Sequence, residues 1–429
     1  MIKIIQADEF RKNYNTTKTI GSNEINAGVA AIIADVVKRG DEALREYTEK
    51  FDGCLINDFE LSSDAMDKAI GNVDPGFIAV MERAAANIKE FHMNQVRRGF
   101  DLLPKNGVIM GQRITPIERV GVYIPGGTAP YPSSVLMNCI PAKIAGVSEV
   151  IIVTPPSGTG DANVNGVDAR ILAAAKTAGA DRVFTIGGAQ AIAALAYGTK
   201  TVPDVDKITG PGNAYVAEAK RQVFGIVGIE MIAGPSDVLI IADKKGNPVL
   251  IAADMLSQCE HGPDSPAVLV TNCEILAKKV QKEIESQLND LPREAAARKA
   301  VDDHGMIIIT KSPDESFEIS NILAPEHLEI MLDEPFGYLD KVKNAGSVFL
   351  GKYTPEPVGD YYAGPNHTLP TSGTARFSSP LSVDDFIKKT SYTYYSEEAL
   401  IAASDDIIRF ADEEGFRAHA LAVVKRIKN

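Results

Sequence analysis

Gln258 and His261 stand three residues apart in Ser257-Gln258-Cys259-Glu260-His261-Gly262-Pro263-Asp264-Ser265. On a last helical turn that spacing puts both side chains on one face, and Gly262-Pro263 then ends the helix. An amide and an imidazole held together could bind a divalent metal or a polar substrate; a hydrogen-bonded helix end is the plainer alternative. Glu326-His327 follows Pro325. An adjacent acid and imidazole can divide proton-transfer work. Inside a strand they would point to opposite faces; in the turn after Pro325 both could reach one site, and a surface pair is as good a reading. Asp360 and His367 lie in a loop of glycines and prolines, residues 359–370, and such loops carry function more often than packing. Glu414 and His419, five apart near the end of the chain, do not share a helical face. They converge only if the helix end is distorted or a second chain joins them. Gln258, His261, Asp360 and His419 together make an N/O donor set suited to zinc, although spacing does not say that they meet.

The remaining histidines carry less. His92 ends an amphipathic helix and reads as structural or solvated; His304 adjoins Asp302 and Asp303 and reads as a surface residue. The four cysteines, Cys54, Cys139, Cys259 and Cys273, show no CxxC spacing, which fits a reducing cytoplasm. Cys139 or Cys259 could instead form a thiohemiacetal with an aldehyde; a buried packing residue is the commoner role.

No GxGxxG, P-loop, HExxH or GxSxG occurs. In their place are three glycine-rich turns: Pro125-Gly126-Gly127, Gly187-Gly188-Ala189-Gln190 and Gly210-Pro211-Gly212-Asn213. Each joins a strand-like run to a helix-like run. Such turns aim backbone N–H groups above the carboxyl edge of a sheet, which suits a dinucleotide; tight-turn chemistry is the alternative.

The elements that must position these residues follow an alternating grammar. Strand-like runs at 120–124, 150–153, 183–186 and 207–208 alternate with helix-like runs at 134–145, 167–178, 189–196 and 214–223. A second series of strands, at 238–242, 267–270, 306–310, 327–331 and 348–350, is also separated by helices. This is βαβ patterning, so the fold class is α/β with two Rossmann-like parallel-sheet units. An N-terminal arm is expected over 1–22 and a mostly helical tail over 381–429. The larger α/β domain would take 23–118 with 237–380, and the inserted, nucleotide-binding one 119–236. The chain has 429 residues, enough for several domains. Net charge is −13, which argues against nucleic acid and anionic membranes as partners. The long uncharged run at 120–142 holds four prolines and cannot span a bilayer. The first residues show no signal-peptide pattern, so a cytoplasmic location is expected.

These motifs, in this order, resemble the histidinol dehydrogenase family. The matching stretches are Arg119 to Gly127, Gly187 to Ala191, Gly210 to Ala214, Ala233 to Ser236, Ser257 to Ser265, Pro325 to Leu328 and Asn366 to Pro370. The resemblance implies a zinc- and NAD-dependent enzyme that oxidises L-histidinol to L-histidine through the aldehyde with two NAD, the last step of histidine biosynthesis. It implies one zinc per subunit on Gln258, His261, Asp360 and His419, and substrate contacts from Ser236, Gln258, His261, His327, Asp360, His367, Glu414 and His419. It implies NAD contacts from Tyr123, Gln190 and Asn213, with His327 as base and Glu326 activating water. It further implies a homodimer whose partner chain supplies Glu414 and His419. A dehydrogenase of another amino or sulfonated alcohol on the same scaffold is the alternative.

Overall fold

Runs of Val, Ile, Leu and Ala bounded by glycine mark strands buried on both faces, and two all-parallel sheets result. The computed structural model describes residues 1–14, 23–126, 130–156 and 164–428; Gly127, most of the polar loop at 157–166 and the second half of the expected arm lie outside them. The larger sheet has six strands in the spatial order Lys3–Gln6, Met306–Ile309, Ala267–Thr271, Val238–Ala242, His327–Met331, Ser347–Leu350, every neighbour parallel. Side chains alternate between its two faces. Ile240, Leu269 and Ile307 enter one apolar cluster, and Leu239, Ile241, Val268 and Ile308 enter the other. After the edge strand Lys3–Gln6, the chain enters the middle of this sheet at Val238–Ala242, steps outward twice, then returns to lay His327–Met331 on the opposite side. That reversal is a topological switch point.

The five-stranded sheet repeats the scheme in the order Arg182–Thr185, Glu149–Thr154, Arg119–Tyr123, Lys207–Thr209, Gly228–Ile229. Its switch point falls between Arg119–Tyr123 and Lys207–Thr209. Helix Gly188–Tyr197, fully apolar over Ala191–Leu195, is buried against it with helix Ala214–Val223.

Three expectations change. The first residues are not a free arm. Lys3–Gln6 is an edge strand in register with Met306–Ile309, and helix Ala7–Asn13 follows; four residues are too few for their alternation to be read locally. Val108–Pro116, expected within the larger α/β domain, pairs antiparallel with Ile387–Tyr395 and with Phe100–Lys105. The tail therefore opens on a nine-residue strand before helices Glu397–Glu413 and Arg417–Ile427. Pairing across such a sequence gap has no local signal, whereas the helical periodicity does. By compactness, Val96–Ile117 with Ile387–Asn429 forms one unit, and Met1–Gln95 with Glu118–Phe386, which holds both parallel sheets, forms the other. No helix among the described residues is long and apolar enough to cross a membrane.

One buried ion pair sets the turn after Lys207–Thr209. Lys220 Nζ lies 2.6 Å from Glu230 Oε1 and donates to the Gly210 carbonyl at 3.1 Å. The same Glu230 oxygen accepts from Gly210 N–H at 2.8 Å. Both side chains are essentially unexposed, 2% and 1%. Gly210 itself has φ of 110°, and a Cβ there would stand 2.1 Å from the Tyr123 carbonyl oxygen. Breaking a buried pair on one side strands the other charge. Lys220→Met should therefore lose about 3–5 kcal/mol of stability, and adding Glu230→Leu should recover most of it. Denaturant midpoints of the two variants check this; equal midpoints would mean that the pair is not what holds the turn.

Candidate active site

Helix Pro248–Cys259 starts cleanly because Asn247 caps it and Pro248 occupies its first turn. Its end delivers the first site residues. Gln258 is fully buried, yet neither its amide oxygen nor its amide nitrogen has a hydrogen-bond partner. Each such atom costs about 1–3 kcal/mol when left unpaired, so a buried amide with both ends open points to a ligand. His261 follows one step past the helix cap, its N–H on the Gln258 carbonyl at 3.2 Å, with its side chain exposed.

Glu326 and His327 stand where strand His327–Met331 begins. Glu326 is in the turn and His327 in the strand, so both reach the same place, 3.8 Å apart. Ala324, at φ 51°, makes the entry: it closes helix Pro313–Leu323 in the left-handed region. Asp237, on the neighbouring strand's threshold, clasps both residues. Its N–H donates to Glu326 Oε2 at 3.0 Å, and its carboxylate accepts from Glu326 N–H at 2.9 Å. Its carbonyl accepts from His327 N–H at 3.2 Å and faces His327 Nδ1 at 2.9 Å. A carbonyl only accepts, so Nδ1 carries the proton and Nε2 is left as the basic nitrogen. Nε2 is buried without a partner and lies 3.8 Å from Asp360 Oδ1. Burial pushes the Glu326 carboxyl up to about 8. Burial alone would lower His327, but Glu326, Asp360 and Glu356 outweigh it and raise the proton affinity of the imidazole above its usual range. Ser236 bonds the Glu326 carboxylate from the same threshold.

Asp360 lies in the short helix Glu356–Tyr361. His367 Nδ1 faces the Asp360 carbonyl at 2.9 Å, and its Nε2 reaches Ser134 Oγ at 3.5 Å. Burial works against the Asp360 carboxylate, but His327 and His367 beside it hold it well below the usual range. One turn before Asp360, Glu356 is buried, and its carboxylate forms a cluster with His261 and Asp360. Their donor atoms all lie within 4.8 Å of one another. The structure thus brings Ser236, Glu326, His327, Asp360, His367 and His261 into one network at the amino edge of the six-stranded sheet.

The other candidates gather at the carboxyl edge of the five-stranded sheet. Tyr123 ends its strand at the switch point, and its hydroxyl accepts from Gly188 N–H at 3.1 Å. Gln190, 1% exposed, has an unpartnered amide oxygen. Asn213 is exposed and caps helix Ala214–Val223, accepting from Tyr215 and Val216 N–H. Part of the glycine signal is packing: a Cβ at Gly126 or at Gly187 would stand 2.4 Å from the Pro155 ring.

A sequence profile described as histidinol dehydrogenase matches residues 15–427. The chain belongs to the histidinol dehydrogenase family. A histidinol dehydrogenase of Streptococcus mutans serotype c is 54% identical over 407 residues, covering 95% of this chain and 94% of that one. One from Bacillus cereus is 51% identical over 427 residues, covering 98% of each. The crystal structure of histidinol dehydrogenase from Elizabethkingia anophelis superposes with a TM-score of 0.93 at 38% identity, over 100% of this chain and 98% of that one. The protein is an oxidoreductase of histidine biosynthesis.

Within this family member, Glu414 and His419 sit on the second compact unit, both exposed. Helix Glu397–Glu413 ends at Glu414, Gly415 turns at φ 79°, and His419 lies in the first turn of Arg417–Ile427. The two residues thus sit on different helices, which accounts for a spacing that suits no single one. His92 is buried, with Nδ1 on Gln95 Oε1 at 2.7 Å, and His304 is exposed, as their neighbours suggested. Cys139 and Cys259 are fully buried, and burial pushes the Cys259 thiol up to about 12, so neither is a ready nucleophile.

Sequence reading missed Asp237, Glu356 and Asp52. The first two adjoin motifs, next to Ser236 and four residues before Asp360, and that adjacency was their only signal. Asp52 ends helix Asp41–Asp52, has a buried unpartnered carboxylate oxygen, and acts electrostatically on Tyr123. Burial raises it to about 6. Because the folded value is raised, its favourable contribution is present below about 4 and is lost as pH rises through about 6. Asp52→Asn should gain about 1–3 kcal/mol at pH 7.5 and little at pH 4.5. Thermal midpoints across that range test it; a gain that does not change with pH would show that the carboxylate charge is not what the fold resists.

Proposed function

We propose that the protein carries out both oxidations of L-histidinol, first to the aldehyde and then to L-histidine, with two NAD and one zinc ion per subunit. The observation that carries this reading is the Asp237–His327 bond, which leaves a buried, unpartnered Nε2 beside Asp360 while Glu326 lies at the Nδ1 side of the same ring. The donor set fits zinc: Gln258 has an unpaired buried amide, and His261 and Asp360 lie within ligand reach of each other. His419 would complete it. When bound, zinc would orient the substrate through its imidazole and amino nitrogens. NAD fits the five-stranded sheet's switch point, where Gln190 offers an unpaired amide oxygen and the helix after Gly187 has no side-chain cap. When bound, it would accept hydride.

His327 takes the hydroxyl proton as hydride leaves the carbinol carbon, giving the aldehyde. An aldehyde has no second hydride to give until water adds. Glu326, beside His327, takes a proton from water so that hydroxide adds to the carbonyl carbon, while the protonated His327 returns its proton to the carbonyl oxygen, giving the hydrate and a neutral imidazole. His327 then accepts a hydroxyl proton of the hydrate as the second hydride leaves, and the product is the carboxylate. Ser236, His367 and Glu414 would hold the substrate. Glu414 and His419 would come from the partner of a homodimer, so that each site draws on two chains. The absence of disulfide spacing supports a cytoplasmic setting.

Two outcomes check the scheme. L-Histidinol should yield two NADH per molecule, with activity lost on chelation and restored by zinc; one NADH with free aldehyde would remove the second oxidation. Glu326→Gln should slow aldehyde oxidation by about 10²–10⁴-fold and alcohol oxidation far less. Equal losses in the two half-reactions would take the water-activating role from Glu326.

A further inference from the structure

We propose that Glu356 is a metal-holding residue: with His261 and Asp360 it forms a three-donor site inside the larger compact unit, able to take a divalent ion without His419. The proposal rests on the zinc reading above and extends it to a residue which that reading does not use.

The geometry comes first. One imidazole nitrogen and two carboxylate oxygens, all within 4.8 Å of one another, surround a common point. Tetrahedral zinc with bonds of about 2.0–2.2 Å holds its donors about 3.3–3.6 Å apart. The widest pair would need to draw in by about 1 Å, within the reach of side-chain rotation. Glu356 and Asp360 are four residues apart on the helix Glu356–Tyr361, so both carboxylates rise from one face. The Glu356 backbone is itself pinned, its N–H donating to Glu329 Oε1 at 2.9 Å.

The electrostatics come second. Glu356 is 2% exposed. Among the described residues no lysine or arginine pairs with Glu356 or with Asp360; Asp360 faces His327, His367 and the Glu356 carboxyl, with which it shares a hydrogen bond. Ser257 Oγ reaches Glu356 Oε2 only at 3.3 Å and reaches the Asp254 carbonyl at 2.8 Å, and its single proton serves one of them at a time. Two buried carboxylates side by side are stable only with a proton or a cation between them. The exposed His261 gives that cation a way in.

A third observation is independent of the cluster. Gln258, on the same turn as Ser257 and His261, is buried with its amide oxygen and nitrogen both unpartnered. His327 Nε2, also buried and unpartnered, lies 3.8 Å from Asp360. The polar groups around the cluster are arranged for something that binds there.

The test uses the full-length protein, stripped with chelator and titrated with zinc against a chromophoric competitor, with cobalt as a spectroscopic probe. Glu356→Gln keeps the shape and the Ser257 contact but removes the charge. It should weaken zinc binding by about 10- to 100-fold and shift the cobalt d–d bands, and Glu356→Asp should restore part of the affinity. His419→Ala should still take one zinc, and His419→Ala with Glu356→Gln should take none. Unchanged zinc affinity and cobalt spectrum in Glu356→Gln, while His261→Ala loses the metal, overturns the role of Glu356 alone. If Gln prevents folding, unchanged affinity in Glu356→Asp overturns it equally. Failure of the unaltered protein to take zinc, or zinc kept by His261→Ala, overturns the zinc reading itself.

Discussion

Two hydrogen bonds to one carbonyl oxygen organise the chemistry. The Asp237 carbonyl accepts from the backbone and the ring of His327, so the parallel pairing of two strands also chooses the imidazole tautomer. The pairing is rigid because both strands are buried on both faces. A ring held this way has one nitrogen committed to the fold and one open for proton transfer. Asp237 also binds Glu326 through its own N–H and its carboxylate, so the carboxyl and the imidazole share one support. Moving either would require parting strands at the centre of a six-stranded sheet.

The second constraint is charge. Glu326, Glu329 and Glu356 are buried within a short reach of Asp237, Asp254 and Asp360. Burial pushes the three glutamates and two of the aspartates up. Only Asp360, bordered by two histidines, goes down. A site built this way holds protons readily, draws cations, and is costly to fold without them. That cost is understandable if the site must both bind a metal and pass protons.

The two parallel sheets share a winding order and use opposite edges. The five-stranded sheet presents Tyr123, Gly188 and Gly210 at its carboxyl edge, the usual side for a ligand at a switch point. The six-stranded sheet presents Glu326, His327 and Asp237 at its amino edge, where helix Pro248–Cys259 also ends. The Lys220–Glu230 pair stiffens the first edge as the Asp237 clasp stiffens the second.

By itself the sequence determined the α/β class, most strands and helices of both parallel sheets, and the motif residues, because these depend on local periodicity, capping and turn chemistry. The runs at 238–242 and 327–331 could be read directly, and so could Glu326-His327 as a pair of interest. The tertiary structure decided whether that pair shared a face, because the turn after Pro325 and not the strand period sets the direction of Glu326. It also decided that Lys3–Gln6 closes a sheet edge and that Ile387–Tyr395 pairs with Val108–Pro116. Both pairings join segments hundreds of residues apart, for which no local pattern exists. Asp237 and Glu356 became visible for the same reason: a backbone carbonyl and a buried carboxylate gain meaning only from what folding sets beside them.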